Sequence, residues 1–476
     1  MRRALACLSL ALAACATPEA NAPLEGDLLI RDVRVVGFEG EAPAVREHAF
    51  VLVRDGRILA VQDTEDGLAA RETAEGGGMT LLPGLTDMHV HIWDEAELGA
   101  YLSYGVTRVR NMSGMPFHLD LISRIEAGEL AGPHLITTGP ILNSPGANQQ
   151  INHQIVVTAE EARQAVAWQE EAGFTRLKVY SNLTREAYEA IRDEAAERGL
   201  IVTGHTPEGV RTEGMPDEVP FDIGFGEILD DRFETIEHIE SIVWHGLRNR
   251  HDEVAARTLA GEIAAAGVPV TPTLLAHHNL WLVAETDGAA LTRPGTELLN
   301  PFEQVTEAGS HAFWTGRDPA PVAEDDAFYG GVAKIFAEEG VLMVAGTDAG
   351  IFTNIPGLSL AEEMGLLVKA GLTPFEALKT ATYNPSVVFG TVGQDGCVET
   401  GCAADFVLYA CDPLAEIACV ADPAAVVRAG AWLGRGELLA MREKAGQPDV
   451  VRTQANLFSG LAAQGVDVEA LAAQLQ

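Results

Sequence analysis

The chain has 476 residues, of which 47% are hydrophobic, so it is long enough for more than one average domain and can bury a large core. It carries 69 acidic and 32 basic residues, a formal net charge of −37. Nucleic acids and anionic lipid surfaces bind proteins through clustered Lys and Arg, so this charge argues against both as partners. We interpret the excess of acid as a solvated surface, which could also attract cationic molecules.

The first residues have the pattern of an export signal peptide. Arg2 and Arg3 make the amino-terminal end positively charged. Ala4 to Ala14 then form an apolar run that is too short to span a bilayer. The sequence ending at Cys15 resembles a bacterial lipoprotein box, which predicts lipidation of Cys15 and a location at the outer membrane, facing the periplasm. Cleavage after Ala22 and release into the periplasm is the alternative. We therefore expect residues 1–23 to be a signal and tether, with membrane contact only through a lipid anchor.

Residues 24–82 are rich in predicted strands. Apolar runs cover 28–30, 33–36 and 50–53, and Asp55-Gly56 is a hairpin signal before the run 58–61. No helical pattern separates these runs.

Residues 83–391 alternate predicted strands with predicted helices, which indicates βα units and a parallel sheet. Candidate strands begin near 85, 105, 134, 175, 200, 234, 268 and 341. Eight such units make a (β/α)₈ TIM barrel, so we predict the α/β fold class. Two long connections, 206–232 and 274–325, follow strands at the active end of such a barrel, and we expect them to cover a site.

Residues 392–440 are again strand-like and contain the four cysteines that lie outside the signal. Outside the cytosol such cysteines form disulfides, and of three possible pairings we favour Cys397–Cys402 and Cys411–Cys419. A structural zinc site is the alternative. Residues 441–476 are predicted to be a helical tail packed on the surface.

The most informative motif is His89-Val90-His91, at the end of the apolar run 81–86. Residues two apart on a strand face the same side, so these two imidazoles make half of a metal site. Four further ligand-type residues end later strand-like runs: Lys178, His205, His238 and Asp348. The carboxyl ends of barrel strands carry the active site, so the six side chains are expected to meet there.

This ordered set resembles the amidohydrolase superfamily, in particular its branch related to imidazolonepropionase and Xaa-Pro dipeptidase. The resemblance covers residues 24–440. It extends to six further motifs: Leu82 to Asp87, Gly105 to Arg110, Gly346 to Gly350, Gly371 to Pro374, Glu376 to Leu378 and Thr382 to Pro385. It implies that segments 24–82 and 392–440 meet in one small composite β-sandwich beside the barrel.

The resemblance also implies the cofactors. His89, His91 and Asp348 would hold one divalent ion, and His205 and His238 a second, with zinc the expected metal. A protonated lysine cannot bind a cation, so Lys178 is expected to carry a carbamate, derived from CO₂, that bridges both ions together with a hydroxide. Asp348 would be the catalytic residue, taking the proton of the attacking water and delivering it to the leaving amine.

Three residues are candidate contacts of a small-molecule substrate. Tyr180 lies two residues after Lys178, Arg110 could bind a carboxylate, and His153 lies in a polar loop after the third strand. The dipeptidase pattern is not followed after His205, where Thr206-Pro207 stand, and this puts recognition of a peptide carboxyl terminus in doubt.

The sequence therefore predicts a metal-dependent hydrolase that cleaves the amide bond of a dipeptide, an N-acyl amino acid or a cyclic amide. The alternative is a mononuclear deaminase or an imidazolonepropionase-type hydrolase, and Lys178 favours the first because mononuclear relatives generally lack it. A barrel that serves only as a binding protein is a third interpretation. The sequence leaves the substrate, the metal and the oligomeric state open.

Overall fold

A computed structural model describes residues 23–147, 149–210 and 219–470. The signal segment and the predicted lipidation site Cys15 lie outside the described residues. Within them, no helix is both long and apolar enough to cross a membrane.

One mixed sheet is built from both ends of the chain. Its strands are β1 (Leu24–Gly37), β2 (Ala44–Arg54), β3 (Arg57–Gln62) and β4 (Leu68–Pro83), followed much later by three more. The three later strands of this sheet follow the barrel in the chain and are β14 (Phe406–Tyr409), β15 (Ala425–Arg428) and β16 (Ala431–Gly434). The order β16-β15-β14-β4-β1-β2-β3 puts β4 beside β14. That antiparallel pair joins the two segments, as the resemblance implied.

The sheet buries one face against its own small core. Along β1 the side chains of Leu28, Ile30 and Val33 belong to this core, and Phe406 and Leu408 reach it from β14. The structure pairs Cys397 with Cys402 and Cys411 with Cys419, which is the pairing favoured from the sequence.

The predicted barrel is confirmed, and its strands are parallel. They are β5 (Leu85–Val90), β6 (Val106–Asn111), β7 (His134–Thr137), β8 (Ile141–Asn143), β10 (Arg176–Val179), β11 (Ile201–Gly204), β12 (Ile236–Glu237) and β13 (Val270–Thr271), with the short β9 (His153–Ile155) beside β8. β7 and β8 are two halves of the third barrel strand.

The eighth predicted strand, near 341, closes the ring through isolated bridges and not as a regular strand. Met343 bridges to Val270 on one side, and Ala349 bridges to Val90 on the other.

Helices surround the barrel. Those of the first half are α1 (Leu98–Ser103), α2 (Pro116–Glu126), α3 (Ala159–Ala172), α4 (Arg185–Arg198), α5 (Phe225–Ile228), α6 (Ile239–Ile242) and α7 (Glu253–Ala266). Those of the second half are α8 (Leu274–Glu285), α9 (Pro301–Thr306), α10 (Ala308–Thr315), α11 (Pro319–Glu338), α12 (Leu358–Ala370), α13 (Pro374–Ala381) and α14 (Tyr383–Val388). The tail forms α15 (Arg435–Ala445) and α16 (Val450–Ala463).

The connection 274–325, expected to be a long loop, is largely helical. It folds into α8, α9 and α10, which satisfies its backbone groups internally and lets it pack over the barrel mouth.

Candidate metal centre and substrate cavity

Four imidazoles, one carboxylate and one amine converge at the carboxyl ends of the barrel strands. They come from β5 and the residue after it, from β10, from the residues that follow β11 and β12, and from the segment between the two isolated bridges: His89, His91, Lys178, His205, His238 and Asp348. His238 and Asp348 have φ of 68° and 59°, in the left-handed region that is uncommon for such residues and recurs at functional sites. The structure thus brings together all six side chains that the sequence singled out.

Three of these residues form a tight donor set. The ligand atoms of His89, His91 and Asp348 all lie within 4.8 Å of one another. Asp348 Oδ1 is 2.7 Å from His91 Nε2 and 3.2 Å from His89 Nε2. The ring centroid of His238 is 4.6 Å from that of His89 and 4.5 Å from that of His205, so the remaining imidazoles extend the set.

Each of the four imidazoles is held through Nδ1 by a neighbouring side chain. The pairs are His89 with Glu237 (2.7 Å), His91 with Ser113 (2.8 Å), His238 with Thr273 (2.7 Å) and His205 with Ser241 (3.2 Å). Metal-binding histidines are oriented by such contacts on the second ring nitrogen, which leave Nε2 for the ion. This donor chemistry fits a divalent ion such as zinc.

Lys178 lies inside the cluster. Its side chain is buried, and its Nζ is 3.1 Å from His89 Nε2. Burial lowers the pKa of the Lys178 amine to about 8, because the ammonium form loses its hydration. Burial alone would raise the pKa of Asp348, but the adjacent His89 and His91 hold it well below its ordinary value.

Arg110 takes a different place from the one predicted. It is fully buried beneath the cluster and does not line the cavity. Its guanidinium donates to Glu237 at 2.7 Å and to Glu234 at 2.9 Å, and Glu237 in turn holds His89. Arg110 therefore supports the floor of the site, and a substrate cannot reach it.

A cavity of about 1100 Å³ opens above the cluster. His91, Lys178, His205, His238 and Asp348 lie at its base. Its outer wall is mostly apolar, with these side chains: Trp93, Ile141, Ile151, Pro301, Phe302, Val305, Ile351, Val450, Leu457 and Phe458.

The other two predicted substrate contacts lie on one side of this cavity. Tyr180 lines it, with its ring 4.0 Å from that of His205. His153 lies behind Tyr180, at 4.8 Å between ring centroids, and is buried. Of the predicted substrate contacts, Tyr180 is therefore the one whose side chain lines the cavity.

Sequence reasoning missed the wall. Of the two connections expected to cover the site, the one over 274–325 does so through α9, whereas no described residue of 206–232 lines the cavity. The tail, interpreted as a surface helix, contributes α16. The spacing of Leu457 and Leu461 marked an apolar helix face, but nothing local indicated what that face covers.

The comparisons with known proteins agree with this geometry. The model of the amidohydrolase family matches residues 80–433. An imidazolonepropionase of Ralstonia nicotianae is 28% identical over 394 residues, 77% of this chain and 88% of that protein. An adenine deaminase of Deinococcus deserti is 46% identical, but over only 70 residues, so this chain spans 12% of that relative.

Solved structures share the fold. A bottromycin amidohydrolase superimposes with a TM-score of 0.71 at 23% identity, covering 89% of this chain and 91% of that one. A Xaa-Pro dipeptidase with bound methionine gives 0.64 at 17% identity, covering 86% and 99%. Because the family model spans most of the chain and the predicted ligand residues converge within it, this protein belongs to the amidohydrolase family.

Proposed function

We propose that this protein hydrolyses the carbon–nitrogen bond of an amide with the help of divalent metal ions. The convergence of four histidines, Asp348 and Lys178 at the base of one cavity carries the proposal. Bound ions would polarise the carbonyl group and lower the pKa of a water molecule. The protein's own residues orient these ligands, exclude water and move the proton.

Asp348 is suited to proton transfer. Its side chain is 13% exposed and faces the cavity, so it can reach both a water molecule and a leaving amine. The neighbouring imidazoles keep it ionised, as a general base must be before it accepts a proton.

Lys178 is proposed to hold a second ion in the form of a carbamate. Its position among the imidazoles, 3.1 Å from His89, supports this, because an ammonium group there would repel a cation. A carbamate adds two oxygens with a negative charge at the same place. Two ions, with zinc as the expected metal, would then be held by the six residues.

The experiment compares the purified protein with Lys178→Ala. Metal analysis should find two ions per chain in the first and fewer in the variant, with hydrolysis of amides largely lost. Isotopically labelled bicarbonate should produce a carbamate signal by nuclear magnetic resonance that the variant lacks. Lys334, which is exposed and far from the cluster, gives the control Lys334→Ala. Full activity and two ions in Lys178→Ala would contradict the carbamate.

A single-ion enzyme is the second candidate. Two observations favour it. His89, His91 and Asp348 alone already form a compact three-ligand set, and the sequence match to an imidazolonepropionase covers 77% of the chain. This version would act as a deaminase or on a cyclic amide. One ion per chain, with Lys178→Ala fully loaded, would support it.

Dipeptides, N-acyl amino acids and cyclic amides remain the proposed substrate classes. A panel of all three, assayed with the metal-loaded protein, tests the proposal directly. Turnover of none of them would count against amide hydrolysis.

We also propose export, with Cys15 as a lipid anchor at the outer membrane. The signal pattern of residues 1–22 supports this, and the two disulfides fit an oxidising compartment. Cys15→Ala should move the protein from the membrane fraction to the soluble periplasm. A variant that stays with the membranes would contradict the anchor.

A further inference from the structure

The C-terminal helix α16 lies outside the residues that match the family model, yet it forms part of the cavity. The match to the family model ends at residue 433, whereas Val450, Gln454, Leu457 and Phe458 line the space above the metal cluster. This part of the wall therefore comes from a segment that the family model does not match.

Apolar packing connects α16 with the metal-binding loops. Leu457 and Leu461 are buried in one cluster with Trp93, against which Phe302 and Phe458 pack. Trp93 follows His91 by two residues, and its indole donates to the backbone oxygen of Gly350 at 3.0 Å. The helix is thus seated on the loops that carry His91 and Asp348.

Polar contacts hold the helix in the same position. Arg452 donates to the buried Asp94 at 2.6 and 2.8 Å. Asn300, which caps α9, donates to Thr453 on α16 and to the buried Glu97 at 3.0 Å each. These contacts lock α16, α9 and the loop after His91 into one continuous wall.

The charges around the cavity disfavour an anion. Its acidic lining residues are Glu240, Glu303, Glu307 and Asp348, and apart from Lys178 at the base no described lining residue is a Lys or an Arg. Burial raises the pKa of Glu303 to about 8, so this carboxyl is largely protonated near neutral pH. A carboxylate placed against it would lose its hydration without gaining a cationic partner.

We propose that Leu457 and Phe458 form a subsite for a bulky apolar group of the substrate that carries no negative charge. The inference rests on the proposed function and narrows its substrates. Amides with a large aliphatic or aromatic group are accepted, and dipeptides that place a free carboxylate in this subsite are rejected. Burial of apolar surface provides the selectivity.

The kinetic test compares two amides of the same amine. One carries a phenylbutyl group on its carbonyl carbon, and the other, the acetamide, carries a methyl group there. Phe458→Ala should lower kcat/KM for the phenylbutyl amide about tenfold, because the phenyl group loses its apolar contact with Phe458. The acetamide does not reach Phe458, so its kcat/KM should stay unchanged. Phe458→Leu, which keeps apolar bulk, should restore most of the difference. Val451→Ala is the matched control, because Val451 lies on the same helix with 75% of its surface exposed.

A binding test does not depend on turnover. Phenylpentanone, butanone and levulinate resemble an amide with the nitrogen replaced by carbon, so they cannot be hydrolysed. Calorimetry on the metal-loaded protein should give tighter binding for phenylpentanone than for butanone, and any binding of levulinate, whose carboxylate can bind the metal ions, should not depend on Phe458. Phe458→Ala should weaken phenylpentanone about tenfold and butanone hardly at all.

The outcomes separate the two proposals. If amides are hydrolysed but Phe458→Ala affects large and small ligands equally, or weakens levulinate as much as phenylpentanone, the subsite is wrong and the hydrolase stands. If no amide is cleaved but phenylpentanone binds in a Phe458-dependent manner, the hydrolase proposal fails and the subsite stands.

Discussion

The floor and the wall of the cavity are built in different ways. The floor consists of side chains at the ends of barrel strands, and each histidine is fixed by a second hydrogen bond, as His89 is by Glu237. The wall consists of helices that come from other parts of the chain, α9 and α16, and its contacts are largely apolar.

This difference separates chemistry from selectivity. Ligands of a metal must be placed to within a fraction of an ångström, and rigid strand ends with supporting hydrogen bonds achieve that. An apolar wall needs only shape and bulk, so helices that pack over the barrel mouth can supply it. Changes in the floor should therefore affect metal and rate, and changes in the wall should affect which substrate is used.

The largest effect is expected from Asp348→Asn. The amide cannot accept the proton and is a poor ligand, so kcat/KM should fall by about a thousandfold or more and metal content should drop. Steady-state kinetics and metal analysis measure this. Asp412→Asn, at an ion pair with Arg34 on the sheet, should change neither. Activity within tenfold of the parent would remove Asp348 from the catalytic role.

Glu237→Gln tests the support of the floor. Glu237 binds His89 Nδ1 and the guanidinium of Arg110, both at 2.7 Å. Without the carboxylate, the imidazole is less firmly oriented, and metal affinity should fall by about 10–100-fold. A competition titration with a chelator measures the affinity. Unchanged affinity would mean that the barrel strands alone position His89.

Glu97 connects the loop after His91 with the wall, because it accepts a hydrogen bond from Asn300. Glu97→Gln tests this connection through the pH dependence of stability. Burial raises the pKa of Glu97 to about 8 from its ordinary 4.5, so the folded state binds a proton that the unfolded state releases. The stabilising effect of that proton is fully present below about pH 4.5 and is lost between that pH and about pH 8, by about 1.4 kcal/mol per pH unit.

Glutamine does not titrate. Denaturant unfolding should therefore find the variant and the parent similar near about pH 5, and the variant more stable near about pH 9. Curves that stay parallel over this range would show that Glu97 does not carry the extra proton.

The smallest effect on stability is expected from Arg452→Ala in the wall. Arg452 is 38% exposed and pairs with the buried Asp94, so solvent screening limits the loss to about 1–2 kcal/mol. The preference for bulky amides should weaken while metal content stays the same. Arg435 lies on the neighbouring helix α15 and forms an exposed ion pair with Asp422. Arg435→Ala breaks this pair and should alter neither property. Loss of metal in Arg452→Ala would mean that the wall also supports the floor.

Much of the floor could be predicted because its signals are local. His89-x-His91 shares one strand face, and Lys178, His205, His238 and Asp348 each end a strand-like run. Parallel barrel strands bring such ends to one mouth, and the resemblance to the amidohydrolase superfamily singled out these six residues. The barrel itself, recognised from eight strand–helix units, is confirmed.

The wall and the role of Arg110 could not be predicted in the same way. Arg110 lies on β6 and was predicted to bind a carboxylate of the substrate. It is instead buried beneath the metal cluster, because it pairs with Glu234 and Glu237, which are distant in sequence.

The sequence by itself therefore determined the barrel and the ligands at its mouth, since strand periodicity and residue type are properties of short segments. Only the tertiary structure decided that Leu457 and Phe458 meet Trp93 above those ligands. The pairing of residues more than 350 positions apart depends on how whole helices pack, because an apolar face can bury itself against many surfaces and nothing in its own sequence selects one.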